Sequence, residues 1–203
     1  MNEQLCGTSR IYGCRFSLYP MCDNFIEVIK TALREVDTSK VWIKTDNVST
    51  CVRGRNEHVF DVVKAIYLHA AKTGVHVVLN GSFSVGCPGD SEGDVYLSED
   101  DVLLNEEKSK DISIETAMQF ALYPMGVPHY MDVIMDGVKT AKEQGVFVAG
   151  VHYATHLDGD THTIFRTIKD AFLSSQKEAS HVVMTVNLSA NSPSTKRKPG
   201  DGK

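Results

Sequence analysis

Residue types able to do covalent or metal chemistry are sparse in this chain, and most fail on spacing. "HYATH" sets His152 and His156 four apart. On a helix that would offer two ligands to one metal, but on a strand four residues span about 13 Å, too far for one zinc. Cys51 and Cys87 are candidate nucleophiles, yet neither has a histidine close in sequence, so buried or bystander thiols are the plainer reading. "GCPGDSEGD" is rich in glycine but follows a strand pattern and has no Lys-Ser/Thr ending, so it is not a phosphate loop. What remains is a set of short hydroxyls and amides: Ser17, Ser49, Asn80, Ser82 and Ser84. They lack a strong acid or base and make a poor catalytic set. They do offer paired donors and acceptors, which suit a small polar heteroaromatic ring. A solvent-wetted sheet face would carry the same residues, and both readings stay open on pattern alone.

These positions must be brought together by the fold, and the chain shows how. "FSLYPM" begins at Phe16 and "FALYPM" at Phe120, an offset of 104. "NEHVF" ending at Phe60 matches "DTHTIF" ending at Phe165, an offset of 105. "HVVLNGSFSVGCP" from His76 lies over "HVVMTVNLSANSP" from His181, again 105 apart. Agreement to one residue at three separated places marks a tandem duplication rather than a solenoid array.

In the first copy "CRFSLY" alternates and reads as a strand. Asp23 can cap a helix carrying Phe25, Ile26, Ile29, Ala32, Leu33 and Val36 at helical spacing. "KVWIKT" and "VSTCVR" form a hairpin around "DN". Asn56 opens a second helix that Gly74 ends, and "VHVVLNGSFSV" closes the unit as a long strand. The second copy repeats the order: a strand at Met118–Tyr123, and a helix with Pro128 in its first turn and Gly145 as its stop. Two strands around "AGVH", a helix from near Asp160 and a strand at His181–Ala190 complete it. The order β-α-β-β-α-β is that of a ferredoxin-like split unit, so the expected fold is α+β with two tandem ferredoxin-like repeats. The expected boundaries are 10–88 for the first repeat, 89–115 for a linker in which "DVYLS" adds a short strand, 116–192 for the second repeat, and 193–203 for a disordered basic tail.

Helices cover one side of each such sheet. Alternation puts Val77, Leu79 and Phe83 on that side, with Phe16, Leu18, Val48, Thr50 and Val52. The open face takes Arg15, Ser17, Tyr19, Ser49, Cys51, Arg53, Asn80, Ser82 and Ser84. Its counterpart takes Gln119, Ala121, Tyr123, His152, Ala154, His156, Asp158, Thr185, Asn187 and Ser189. Arg15 and Arg53 thus become Gln119 and Asp158, which predicts a second face friendlier to a cation. The recurring "LYPM" has a structural reading, with proline ending the strand and tyrosine anchoring the corner.

Hydrophobic content of 42%, charge of 23% and a net charge of −5 describe a packed soluble protein and argue against nucleic acid as partner. The N-terminus lacks a secretory apolar core, and no apolar run is long enough to span a bilayer. Five cysteines, Cys6, Cys14, Cys22, Cys51 and Cys87, include no C-x-x-C pair. A cytoplasmic protein with reduced thiols and no metal is expected.

"FSLYPM", "VSTCVRG", "LNGSFSVGCPGD", "FALYPM" and "VNLSANSPS" together resemble the YkoF-type hydroxymethylpyrimidine/thiamine-binding family of bacilli, over nearly the whole chain. The resemblance implies fused ACT-like repeats, a homodimer, thiamine bound in each repeat as ligand rather than cofactor, and a role beside membrane transporter components. It implies that Ser17, Ser49 and Thr50 bond the aminopyrimidine edge, although alternation points Thr50 toward the helices. Tyr19 and Tyr123 would cover the thiazolium. In the second copy Ala121 and Ala154 replace two serines, so His152, Thr155 and Asn187 would supply its donors. The expected function is non-enzymatic binding of thiamine or its pyrimidine precursor in uptake or salvage. The alternatives are a salvage enzyme using Cys51 or a histidine, and a regulatory module whose open faces dock another protein.

Overall fold

A computed structural model describes residues 11–87 and 93–194. The first half runs β1 (Tyr12–Pro20), α1 (Phe25–Glu35), β2 (Trp42–Thr45), β3 (Thr50–Gly54), α2 (Asn56–Ala71) and β4 (Val77–Val85). A single-turn helix, α3 (Glu106–Ser109), interrupts the connection. The second half runs β5 (Glu115–Met125), α4 (Tyr130–Glu143), β6 (Phe147–Val151), β7 (Ala154–Asp160), α5 (Thr161–Glu178) and β8 (His181–Ala190). The order β-α-β-β-α-β therefore occurs twice, in a mixed α/β chain.

The two halves do not keep separate sheets, as the repeat alone suggested. All eight strands join in one antiparallel sheet of order β2-β3-β1-β4-β8-β5-β7-β6. The last strands of the two repeats pair with each other, Val77 opposite Ala190 through Val85 opposite Val182. Gly81 faces Val186, its own counterpart 105 residues on, so the axis relating the repeats passes through that pair. Gly81 has a packing reason to lack a side chain: a Cβ there would lie 2.9 Å from the Cβ of Phe16.

One face of this sheet is buried along its central strands. Leu79 pairs with Leu188 and Phe83 with Met184, and all four are at most 1% exposed. The helices pack as a row over that face, α1 on α2, α2 on α5 and α5 on α4. α2 lies between two helices and the sheet, which explains why thirteen of its sixteen residues are buried. Phe172 of α5 reaches across the repeat boundary to Phe60, Phe83 and Tyr12, at ring distances of 6.1, 6.4 and 6.3 Å. Phe60 stacks on Phe83 at 4.3 Å. Polar groups at the boundary are matched: Tyr67 shares a hydrogen bond with Thr116 at 3.3 Å, and Thr116 with Thr161 at 2.8 Å.

Several local expectations are corrected. Asn24, not Asp23, occupies the cap position of α1 and makes no side-chain cap bond. Phe25 and Ile26 stay half exposed, because Val28, Ala32 and Val36 form the buried stripe. Pro128 precedes α4 rather than joining its first turn. Val48 belongs to the hairpin loop and is 77% exposed instead of facing the helices. "DVYLS" forms no strand; the segment is held by side chains, Arg53 donating to the carbonyls of Gly93 and Asp94 and Arg55 to that of Ser98. The inter-repeat connection is anchored too. Asn105, 1% exposed, donates to Asp61 and to the Asp37 carbonyl and accepts the Asp37 N–H. The Pro88 position, most of the glycine-rich segment and the basic tail from 195 onward lie outside the described residues.

Candidate functional site

The hairpins are shorter than the strands they flank, and this mismatch builds the site. β1 pairs with β3 only from Tyr12 to Phe16, yet pairs with β4 all the way to Pro20. Residues 17–20 therefore have a strand on one side and none on the other. α1 and the β2–β3 loop border the vacancy, leaving a cavity of about 190 Å³ lined by Ser17, Tyr19, Ile29, Leu33, Asp46, Val48, Ser49 and Thr50, among others. The second repeat has the same notch. β5 pairs with β7 only from Glu115 to Phe120 but with β8 as far as Met125. A cavity of about 540 Å³ opens beside Ala121 and Tyr123, walled by Tyr130 and Ile134 of α4 and by Val151, Tyr153 and Thr155. Pro20 and Pro124 fall where each strand has lost one neighbour, a position that tolerates a missing N–H.

A notch at the end of a sheet communicates with both faces. Thr50 sits opposite Phe16 in register and shares its helix-facing side, whereas Ser17 belongs to the open side. Both nevertheless line one cavity. Strict alternation set them apart, and the ending of β3 brings them together.

The first notch has a polar rim. Asp46 Oδ1 accepts the backbone N–H groups of Val48 and Ser49 at 2.8 and 2.9 Å, shaping the loop as an Asx turn. Those bonds, Ser49 first, and the Arg15 guanidinium hold the Asp46 carboxyl below the usual carboxylate range. Ser17 Oγ donates to the Val48 carbonyl at 3.1 Å, and Thr45 and Thr50 share a hydrogen bond at 2.9 Å. The second notch has the same plan with a drier lining. Val151 stands at the Asp46 position, Tyr153 at Val48 and Ala154 at Ser49, and Thr155 keeps the hydroxyl of Thr50 at 8% exposure. Tyr153 adopts φ +66°, which turns the tight β6–β7 corner.

The structure brings Ser17, Tyr19, Ser49 and Thr50 into one cavity, and Ala121, Tyr123 and Thr155 into the other. Tyr19 and Tyr123 are 51% and 47% exposed, so they form rims and do not anchor a corner in the core. Other predicted residues lie elsewhere. Asn80 and Asn187 hydrogen-bond each other near the axis at the middle of the open face. Ser82 and Ser84 line a separate open-face hollow with Arg15, Arg53, Cys51 and Cys87, and no histidine among the described residues borders it. His152 is exposed in the corner between two residues that do line the second notch. The expected charge difference also moves: Arg53 and Asp158 line neither notch, and at the rim it is the first repeat that carries a carboxylate. Asp46, Val48 and Tyr153 were missed because loop residues obey no alternation. The Asp-Asn pair at the hairpin tip was the one available signal.

A family model described as "YKOF-related Family" matches residues 11–90 and, a second time, residues 115–195. A protein of Bacillus subtilis (strain 168), named "Putative HMP/thiamine-binding protein YkoF", is 58% identical over 199 residues, covering 98% of this chain and 100% of that one. A crystal structure of protein SP2199 from Streptococcus pneumoniae is 20% identical, covering 37% of this chain and 84% of that chain at a TM-score of 0.35, a likeness too slight to build on.

Proposed function

The chain belongs to the YKOF-related family, and from that premise we propose that it binds thiamine or its hydroxymethylpyrimidine precursor without transforming it, one molecule in the notch of each repeat. The observation that carries this reading is the recurrence of the notch: two cavities, in equivalent positions, each joining a strand with a vacant edge to a tyrosine and a buried-side threonine. The vacant edge of residues 17–20 offers main-chain donors and acceptors, which an aminopyrimidine can meet as an added strand would. Ser17, Ser49 and Thr50 supply side-chain partners. A volume of about 190 Å³ lies below the roughly 300 Å³ lower end of drug-sized sites, so the first notch encloses a single ring. The thiazolium then lies outside, against Tyr19 and near the Asp46 carboxylate. The larger second notch takes both rings between Tyr123, Tyr130 and Tyr153 and relies on apolar contact.

The reading includes two tandem ferredoxin-like repeats, a cytoplasmic setting and service to a thiamine or pyrimidine transport system. No described helix is long and apolar enough to cross a membrane. It also includes a homodimer formed by stacking two open sheet faces. Arg15 lies on one half of that face and Asp158 on the other, so an antiparallel pairing of copies matches opposite charges.

Titration calorimetry with thiamine, hydroxymethylpyrimidine and thiamine diphosphate side by side tests the proposal. The expected result is about two thiamines per chain, with the diphosphate weakest because no Lys or Arg among the described residues lines either notch. Appearance of thiamine hydrolysis products by mass spectrometry, abolished by Cys51→Ala, would instead establish an enzyme.

A further inference from the structure

The helix layer holds a cleft that neither notch uses. The N-terminal halves of α2 and α5 part there, and Leu103 and Glu106 of the connection close one end, leaving about 350 Å³ between Phe60 and Phe165. Both walls carry both signs: Glu57, Asp61 and Lys64 stand on α2, and Arg166, Lys169 and Asp170 on α5, where Asp170 accepts from Gln144 Nε2 at 2.7 Å. Glu57 and Asp61 are four residues apart and so neighbours on one helix face.

The groups within it are incompletely matched. Asp61 is 4% exposed. Its Oδ2 accepts the backbone N–H and the side-chain amide of Asn105, at 3.1 and 2.9 Å. Its Oδ1 is buried with no hydrogen-bond partner, and so is His162 Nε2 on the facing helix. Lys64 is taken by Glu106 at 2.6 Å, and Arg166 Nε by Gln144 at 3.2 Å. Lys169 has no ion pair or hydrogen bond among the described residues. A carboxylate oxygen without a donor is costly to bury, and here the complementary cation stands on the opposite wall across a gap. At about 30 Å³ per water the cleft takes roughly twelve waters, many more than one orphan oxygen requires.

We propose that this cleft binds a small zwitterion of the free α-amino acid class, its ammonium toward Glu57 and Asp61 and its carboxylate toward Lys169 and Arg166. Phe60 and Phe165 give the side chain of the ligand two apolar walls. The site is separate from the notches and does not depend on what they bind.

Thermal unfolding of the full chain tests this, with each of the twenty L-amino acids at about 10 mM and with ethylamine and propionate as one-ended controls. Asp61→Asn keeps the acceptor that Asn105 needs while removing the carboxylate, and Lys169→Gln removes the facing charge without touching the core. The expected result is a rise in Tm of about 2 °C or more with at least one amino acid and less than half of that with either control. The rise disappears in both variants, whereas any shift caused by thiamine persists. The proposal is overturned if no amino acid shifts the wild-type protein, if a one-ended control does as well, or if the shift survives in Lys169→Gln. That last variant decides the matter should Asp61→Asn fail to fold.

Discussion

Arg15 Nη1 lies 3.1 Å from Asp46 Oδ2 and 2.9 Å from Ser49 Oγ, so one guanidinium ties β1 to the hairpin loop at the rim of the first notch. The pair is exposed and contributes little to stability. Its consequence is electrostatic, since it sets how much of the Asp46 charge a cationic ligand meets. Arg15→Gln, the residue type found at position 119, should tighten thiamine binding in the first repeat about threefold to tenfold. Asp46→Asn, which retains the loop's acceptor, should weaken it by a similar factor. Calorimetry at low and high salt checks both, and the differences should shrink as salt rises.

The same carboxylate fixes a pH response. Its folded-state pKa is depressed, so its contribution is complete above the ordinary carboxylate pKa of about 3.9 and is lost only as pH falls through the lower folded value. Thiamine affinity of the first site should therefore stay level from about pH 8 down to about pH 5. A decline through pH 6 to 7, followed by titration of ligand binding, would assign the response to another group.

Ser17 and Ala121 are counterparts, and exchanging them tests the equivalence of the notches. Ser17→Ala removes one hydroxyl that now meets the Val48 carbonyl. At about 1 kcal/mol per hydrogen bond, first-site affinity should fall about fivefold with little change in Tm. Ala121→Ser should raise affinity in the second site, read from the two-site isotherm.

How much of this was legible follows from what side chains can report. The duplication, the element order and the polar open face were readable because alternation and helical spacing record which face is buried. Union of the two sheets was not readable. β4 and β8 join through backbone hydrogen bonds at their edges, and an edge leaves no mark on the inside–outside pattern of either strand. The notch was hidden for a related reason. That Ser17 and Thr50 share a cavity depends on β3 ending opposite Phe16, which the Asp46 loop decides. Residues chosen by their face, such as Asn80, Ser82 and Asn187, were placed on the correct side of the sheet but not at its end.

Because the sheet is continuous and Phe172 spans the repeat boundary, the halves should unfold together. Calorimetric unfolding should show one transition, with van't Hoff and calorimetric enthalpies in agreement. Phe172→Ala removes ring contacts to Tyr12, Phe60 and Phe83 and should cost about 3–5 kcal/mol. Two separated transitions in the wild-type protein would contradict this coupling.

Asn105 should be the residue that keeps the connection docked. Asn105→Ala strips its buried bonds to Asp37 and one of the two that Asp61 Oδ2 receives. Burial already raises the Asp61 pKa, and these bonds oppose that rise. A loss of about 2–3 kcal/mol is expected, with faster proteolysis between residues 95 and 112.

A crystal structure of the protein grown with thiamine decides where the vitamin sits. The expected result is a pyrimidine ring in the first notch, within hydrogen-bond distance of Ser17, Ser49 or Thr50 and with its thiazolium against Tyr19, and a second molecule beside Tyr123. Thiamine lying on the open face over Asn80 and Asn187, with both notches free of it, would overturn the assignment of the notches as the binding sites.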